Sequence, residues 1–103
     1  MIVSIVRFRS RLSAEEVQGL FERRAQQYRE VPGLAQKIYL RFRDTREWGA
    51  VYVFDSEQSL ARFRESELAQ SIASTYEVEE AARSELADVT LVVEQAGTEI
   101  GFA

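Results

Sequence analysis

The 103-residue chain contains no cysteine and no histidine. Without cysteine there is no disulfide, no thiol nucleophile and no thiolate metal site. Without histidine the commonest zinc and haem ligand is missing, and so is the usual general base near neutral pH. Proline occurs 1 time and glycine 5 times, and neither an internal repeat nor a low-complexity segment stands out. No hydrophobic run approaches the roughly 18 residues that a membrane helix needs, so no membrane partner is expected. Positive charge is in deficit: 13 basic residues face 17 acidic ones, for a net charge of −4. That balance argues against a nucleic-acid partner, which wants a basic face to displace counterions. The alternating Arg7, Arg9 and Arg11 read as a solvated strand margin rather than a phosphate-binding edge. The start, Met1-Ile-Val-Ser-Ile-Val6-Arg7, lacks a basic n-region and a cleavage site, so it reads as a strand and the expected location is cytoplasmic.

What is present is the composition of an ordinary globular protein, 46% hydrophobic and 29% charged. The length fits one domain. Such a domain buries roughly two thirds of its unfolded surface, which leaves little room for a large cavity unless a partner helps enclose it. Residues 2–9, IVSIVRFR, are short, β-branched and aromatic, and predict a strand. Ser13 and Glu16 then form a capping box, with Leu12 and Val17 as a hydrophobic staple. Val17, Leu20, Phe21, Ala25 and Tyr28 recur at helical spacing, leaving Arg23, Arg24 and Gln27 on the other side. Pro32-Gly33 ends that helix.

Residues 34–43 and 48–54 read as a hairpin around the polar loop Asp44-Thr-Arg-Glu47. Asp55 or Ser56 caps a second helix, with Asp55 and Gln58 as its capping box and Ser66-Glu67 as a restart. Residues 77–88, EVEEAARSELAD, are ambiguous, with a composition that favours helix, while Val89-Thr-Leu-Val-Val93 reads as a strand and places the last strand at about 83–94. The domain is therefore expected over 1–95, with a frayed tail over 96–103 from which Ile100 and Phe102 could dock on a neighbour. The order β-α-β-β-α-β is that of a ferredoxin-like α+β fold: a four-stranded antiparallel sheet with two helices on one face.

An even loop puts Lys37, Tyr39 and Arg41 on one hairpin face with Trp48, Ala50 and Tyr52. Ile38, Leu40, Phe42, Val51 and Val53 take the other. Neither face is the polar surface that an antiparallel sheet shows to water. One is expected under the helices and the other against a second copy of the chain, as an isologous homodimer.

Val31-Pro-Gly-Leu34, Lys37, Tyr39-Leu40, Gly49-Ala50-Val51-Tyr52 and Phe63-Arg-Glu-Ser66 together resemble the YdhR-type mono-oxygenases. Those belong to the dimeric α/β-barrel superfamily that includes the antibiotic-biosynthesis mono-oxygenases. The resemblance spans about residues 2–94. It implies a dimer whose sheets face each other, with a pocket in each subunit between sheet and helices. It also implies catalysis without metal or flavin on electron-rich phenolic or quinol-like rings, and hence no cofactor. The superfamily holds isomerases, dechlorinating enzymes and haem-handling enzymes too. This chain departs from the last by having no histidine, and it carries Gly49-Ala50 where Gly-Gly is more familiar.

On that footing Lys37 and Tyr39 are the catalytic candidates, hydrogen-bonding and stabilising a phenolate oxygen as preorganised donors do. Tyr28, Trp48 and Tyr52 are the candidates for binding a small aromatic or hydrophobic ligand. Each has a structural alternative: cross-strand packing for Tyr39, Trp48 and Tyr52, snorkelling for Lys37, core packing for Tyr28. For Trp48 a half-exposed strand cap and a dimer contact are further alternatives. Arg41, Arg43, Asp44, Arg46 and Glu47 read as a solvated hairpin tip, and Glu77, Glu79 and Glu80 as a wet acidic face. Three functions remain open: a cofactor-free mono-oxygenase, a non-catalytic ligand-binding dimer, and an isomerase or decarboxylase on the same scaffold.

Overall fold

The computed structural model describes residues 1–94; Ile100 and Phe102 of the expected tail lie outside them. The chain runs β1 (Ile2–Ser10), α1 (Ala14–Tyr28), β2 (Leu34–Arg41), β3 (Trp48–Phe54), α2 (Glu57–Glu65), α3 (Glu67–Gln70), α4 (Ile72–Thr75) and β4 (Val78–Asp88). The sheet is antiparallel in the order β2-β3-β1-β4. This is the ferredoxin-like fold expected, with the second helix broken into three short pieces. Among the described residues no helix is long and apolar enough to cross a membrane.

Local chemistry sets most boundaries. Ser13 caps α1 by accepting from the Glu16 N–H at 3.2 Å, and Glu16 accepts in return from the Ser13 N–H at 3.2 Å. Two otherwise orphaned donors are thereby satisfied, and Leu12 packs in the same cluster as Val17. Gly33 turns the chain at φ 80°, and a Cβ there would run into the Ser59 side chain. At α2 the N-cap is Ser56, whose Oγ accepts from the Ser59 N–H at 3.2 Å. The Asp55–Gln58 box expected from the sequence does not form. Asp55 instead accepts from the Ser56 hydroxyl at 3.1 Å, and its N–H donates to the Gly33 carbonyl at 2.9 Å. Ser66 restarts the helix by capping the Ala69 N–H at 3.2 Å.

The hairpin has the even loop that the face assignment needed: Arg41 pairs with Trp48, Tyr39 with Ala50 and Lys37 with Tyr52. The helices cover the face carrying Phe8, Trp48, Ala50, Tyr52 and Phe54, all buried.

The last strand differs from expectation. It covers Val78–Asp88, not 83–94. Its register explains why. Ile2 pairs with Asp88 and Ser10 with Val78, so β1 is a template that runs out at its own first residue. Beyond it, the Val89 N–H still reaches the Met1 carbonyl at 3.1 Å, and Leu91 and Val93 are then 79% and 86% exposed. The availability of a pairing partner overrides the stronger β-propensity of Val89–Val93. Between Arg7 and Arg9 the register shifts, with Glu80 at φ 59° in the bulged stretch.

Candidate functional site

Between the covered sheet face and the helices lies a cavity of about 270 Å³. Its floor comes from alternate residues of three strands, Ser4, Val6 and Phe8 of β1, Lys37 and Tyr39 of β2, and Ala50 and Tyr52 of β3. Phe21 and Tyr28 of α1, Phe63 of α2 and Tyr76 after α4 form its roof and sides, and Ala82 and Ser84 of β4 close one edge. Strand alternation puts every second residue on one face, which is how β2 presents both Lys37 and Tyr39 to the same space.

Lys37 Nζ stands 3.2 Å from the centre of the Tyr28 ring, 4.4 Å from that of Tyr39 and 4.7 Å from that of Tyr52. Among the described residues, no aspartate or glutamate lines the cavity. Two effects oppose each other here. Burial disfavours the ammonium form, and the Arg24 guanidinium adds repulsion, bringing the pKa down from 10.5 to about 6. One desolvated cation–π contact favours the cation by about 2 kcal/mol. The fall from 10.5 to about 6 corresponds to roughly 6 kcal/mol, and at that pKa the amine is largely neutral at pH 7.

The phenols shift the other way. Burial raises Tyr28, Tyr39 and Tyr52 above their usual value and pushes Tyr76 up to about 12. They therefore remain protonated donors at neutral pH. The hydroxyls of Tyr28, Tyr39 and Tyr76 are buried without a hydrogen-bond partner among the described residues. Buried polar groups are normally satisfied, so these three donors await an oxygen from a ligand or water. The Tyr28 hydroxyl lies near Arg24 and Tyr52, whose influence lowers its pKa, but neither completes a hydrogen bond to it.

Of the residues singled out in the sequence, Lys37, Tyr39, Tyr28 and Tyr52 meet at this cavity. Trp48 does not line it. It is buried beside it, edge-on to Phe21 with centroids 5.6 Å apart, with the Arg41 guanidinium 3.9 Å over its own ring. The half-exposed strand cap is thus excluded.

Two further residues, one lining the cavity and one beside it, were missed. Tyr76 follows the short helix α4 and enters through packing with Phe8 and Phe21. Arg24, expected on the solvent side of α1, is half-buried and donates to the Ser71 hydroxyl at 3.0 Å and the Leu68 carbonyl at 3.3 Å. A signal for Lys37 was available in the composition: of 13 basic residues it is the one lysine.

The hairpin tip is also not wholly solvated. Glu47 is buried, and both its carboxylate oxygens accept from Arg83 at 2.8 Å, with Arg7 at 3.9 Å. Burial alone would raise its pKa; Thr45, Arg83 and Arg7 outweigh that and hold it below the usual carboxylate range. The acidic run does behave as read, with Glu77, Glu79 and Glu80 all exposed.

Sheet order and cavity together define a ferredoxin-like α+β protein with a partly open cavity between sheet and helices. The chain belongs to the family described as "Putative mono-oxygenase ydhR", whose pattern matches residues 4–89. No curated protein matches it. Among solved structures it is similar to SnoaB, a cofactor-independent oxygenase from Streptomyces nogalater, with TM-score 0.71 and 17% identity over 91% of this chain and 97% of that one. It is similar to a protein from Deinococcus radiodurans described as a "putative antibiotic biosynthesis monooxygenase", with TM-score 0.70 and 12% identity over 94% and 100% of the two chains. A dimeric ferredoxin-like protein of unknown function from Thermobifida fusca has TM-score 0.69 and 10% identity over 85% and 90%. At such identities these likenesses speak for the fold alone.

Proposed function

We propose that the protein is a cofactor-independent mono-oxygenase of a small phenolic or quinol-like ring bound in the cavity. The observation that carries this reading is the pairing of one neutral amine with three unpartnered tyrosine hydroxyls in one apolar space. Lys37 takes a proton from the substrate's hydroxyl or acidic ring carbon. The hydroxyls of Tyr39, Tyr28 and Tyr76 hold the resulting oxyanion, as preorganised donors do for developing charge. With no carboxylate in the walls among the described residues, and with Arg64 lining them, the site favours an anion. The electron-rich anion then reduces oxygen directly. One oxygen atom becomes a new carbonyl or hydroxyl on the ring and the other leaves as water, the substrate supplying all the electrons. The match to an oxygenase family and the fold shared with SnoaB support this reading, and a cytoplasmic setting fits it.

Oxygen uptake with a panel of anthrones and quinols tests it. Lys37→Met is expected to abolish uptake; uptake unchanged in both Lys37→Met and Tyr39→Phe sinks the assignment. Ligand-induced melting shifts without uptake would mark a binding module instead.

The same reading includes a homodimer. The sheet face away from the helices carries Ile5, Leu40, Phe42 and Val51 around an open groove of about 840 Å³. An apolar antiparallel face calls for cover, and a second copy of the same face supplies it.

A further inference from the structure

The cavity holds the only lysine of the chain, while every other basic side chain is arginine. Arginine cannot serve as a nucleophile, because its guanidinium stays protonated. A lysine amine can, once desolvated or set beside another cation. Both conditions meet at Lys37. Its Nζ is enclosed by the rings of Tyr28, Tyr39 and Tyr52, and Arg24 on α1 repels its charge. The other ionisable groups facing the cavity are Arg64 of α2 and Tyr76, with no carboxylate to pair with an ammonium.

We propose that Lys37 is a carbonyl-trapping amine, which condenses with a small aromatic aldehyde or ketone in the cavity to form an imine. The Nζ lone pair attacks the carbonyl carbon and the C=O pair moves to oxygen. A proton passes from nitrogen to that oxygen, giving a carbinolamine. The hydroxyl then leaves as water as the C=N bond forms, with a second proton lost from nitrogen. No oxidant or reductant takes part. The unpartnered hydroxyls of Tyr28, Tyr39 and Tyr76 are the donors at hand for the departing oxygen. The aromatic walls, Phe21 and Phe63 among them, suit a single flat ring. Because condensation consumes no oxygen, it stands or falls separately from the mono-oxygenase reading.

The test is reductive trapping with benzaldehyde and sodium cyanoborohydride on the full chain, read by intact mass and peptide mapping. One benzyl group is expected on Lys37. The expected initial rate at pH 7 exceeds that of a lysine in a short unstructured peptide by about tenfold, because most of the latter is protonated there. The Lys37 rate should level off above about pH 6 to 7, where its amine is already free, and saturate with benzaldehyde. The exposed α-amino group of Met1 is the internal reference, and Lys37→Arg should keep the Met1 label while losing the other. Labelling of Met1 alone overturns the proposal. So does a Lys37 rate no greater than the peptide's, or one still climbing between pH 8 and 10. The wild-type peptide map decides these outcomes even if the arginine variant fails to fold.

Discussion

Lys37 is a residue whose charge the fold works against, and this has a measurable effect on stability. Its folded pKa, about 6, lies below the 10.5 of the unfolded chain. Between these values the unfolded state binds more protons, so stability rises with pH across the window, by up to about 1.4 kcal/mol per pH unit. The buried tyrosines, with pKa values raised above 10.0, lose stability only above pH 10 and leave the window clean. Urea midpoints from pH 6.5 to 9 should climb in the wild type and flatten in Lys37→Met; parallel curves would contradict the neutral amine. Tyr39→Phe and Tyr76→Phe each delete one unpartnered donor. Each should lower oxygen-uptake kcat by about a hundredfold to a thousandfold, the range seen when one oxyanion donor is removed, with little loss of stability. Lys37, Tyr39 and Tyr52 were legible in the sequence because a strand's two-residue period assigns faces without further knowledge. Arg24 and Tyr76 were not. Which side of α1 Arg24 takes, and whether Tyr76 points inward, depends on how three short helical pieces fold over the sheet, and no local pattern encodes that.

The elements show the same division. Capping chemistry is local: Ser13 and Ser66 act as the sequence suggested, and of the two candidates Asp55 and Ser56 it is Ser56 that caps α2. Ser13→Ala should cost about 1 kcal/mol in a denaturant titration. The end of β4 is a non-local quantity, set by where β1 begins, and propensity over Val89–Val93 pointed past it. Gly49 shows a close approach that sequence could only hint at. Its place on β3 opposite Arg7 is so tight that a Cβ would strike the Val6 carbonyl oxygen and press on the Phe42 ring. Gly49→Ala is expected to destabilise by about 1–3 kcal/mol, as overpacking does. A melting temperature unchanged from wild type would show that the two strands have more slack than the register implies.

For the molecule as a whole, the proposed homodimer rests on the apolar face behind the cavity. Val51 sits at its centre, opposite Ile5 on one side and Ile38 on the other, and Val51→Glu would place an unpaired charge there. The expected outcome is two-chain mass by light scattering for the wild type at micromolar concentration and one-chain mass for the variant. A wild type already monomeric would refute the covered-face argument. That both hairpin faces are oily was readable from alternation alone, whereas which of them lies beneath the helices required the packed structure.

The Glu47 carboxylate has a consequence of its own. It immediately precedes β3, yet its main partner, Arg83, is on β4, so the pair straddles β1 and clasps the outer strand from two strands away. That outer strand forms one rim of the cavity through Ala82 and Ser84, and among the described residues its sole neighbour in the sheet is β1. Because Arg83 and Arg7 help hold Glu47 ionised, acid undoes the clasp only once pH falls below the ordinary carboxylate range. There the rim strand becomes a side door, and amides of residues 78–88 should exchange with solvent ahead of those in the hairpin.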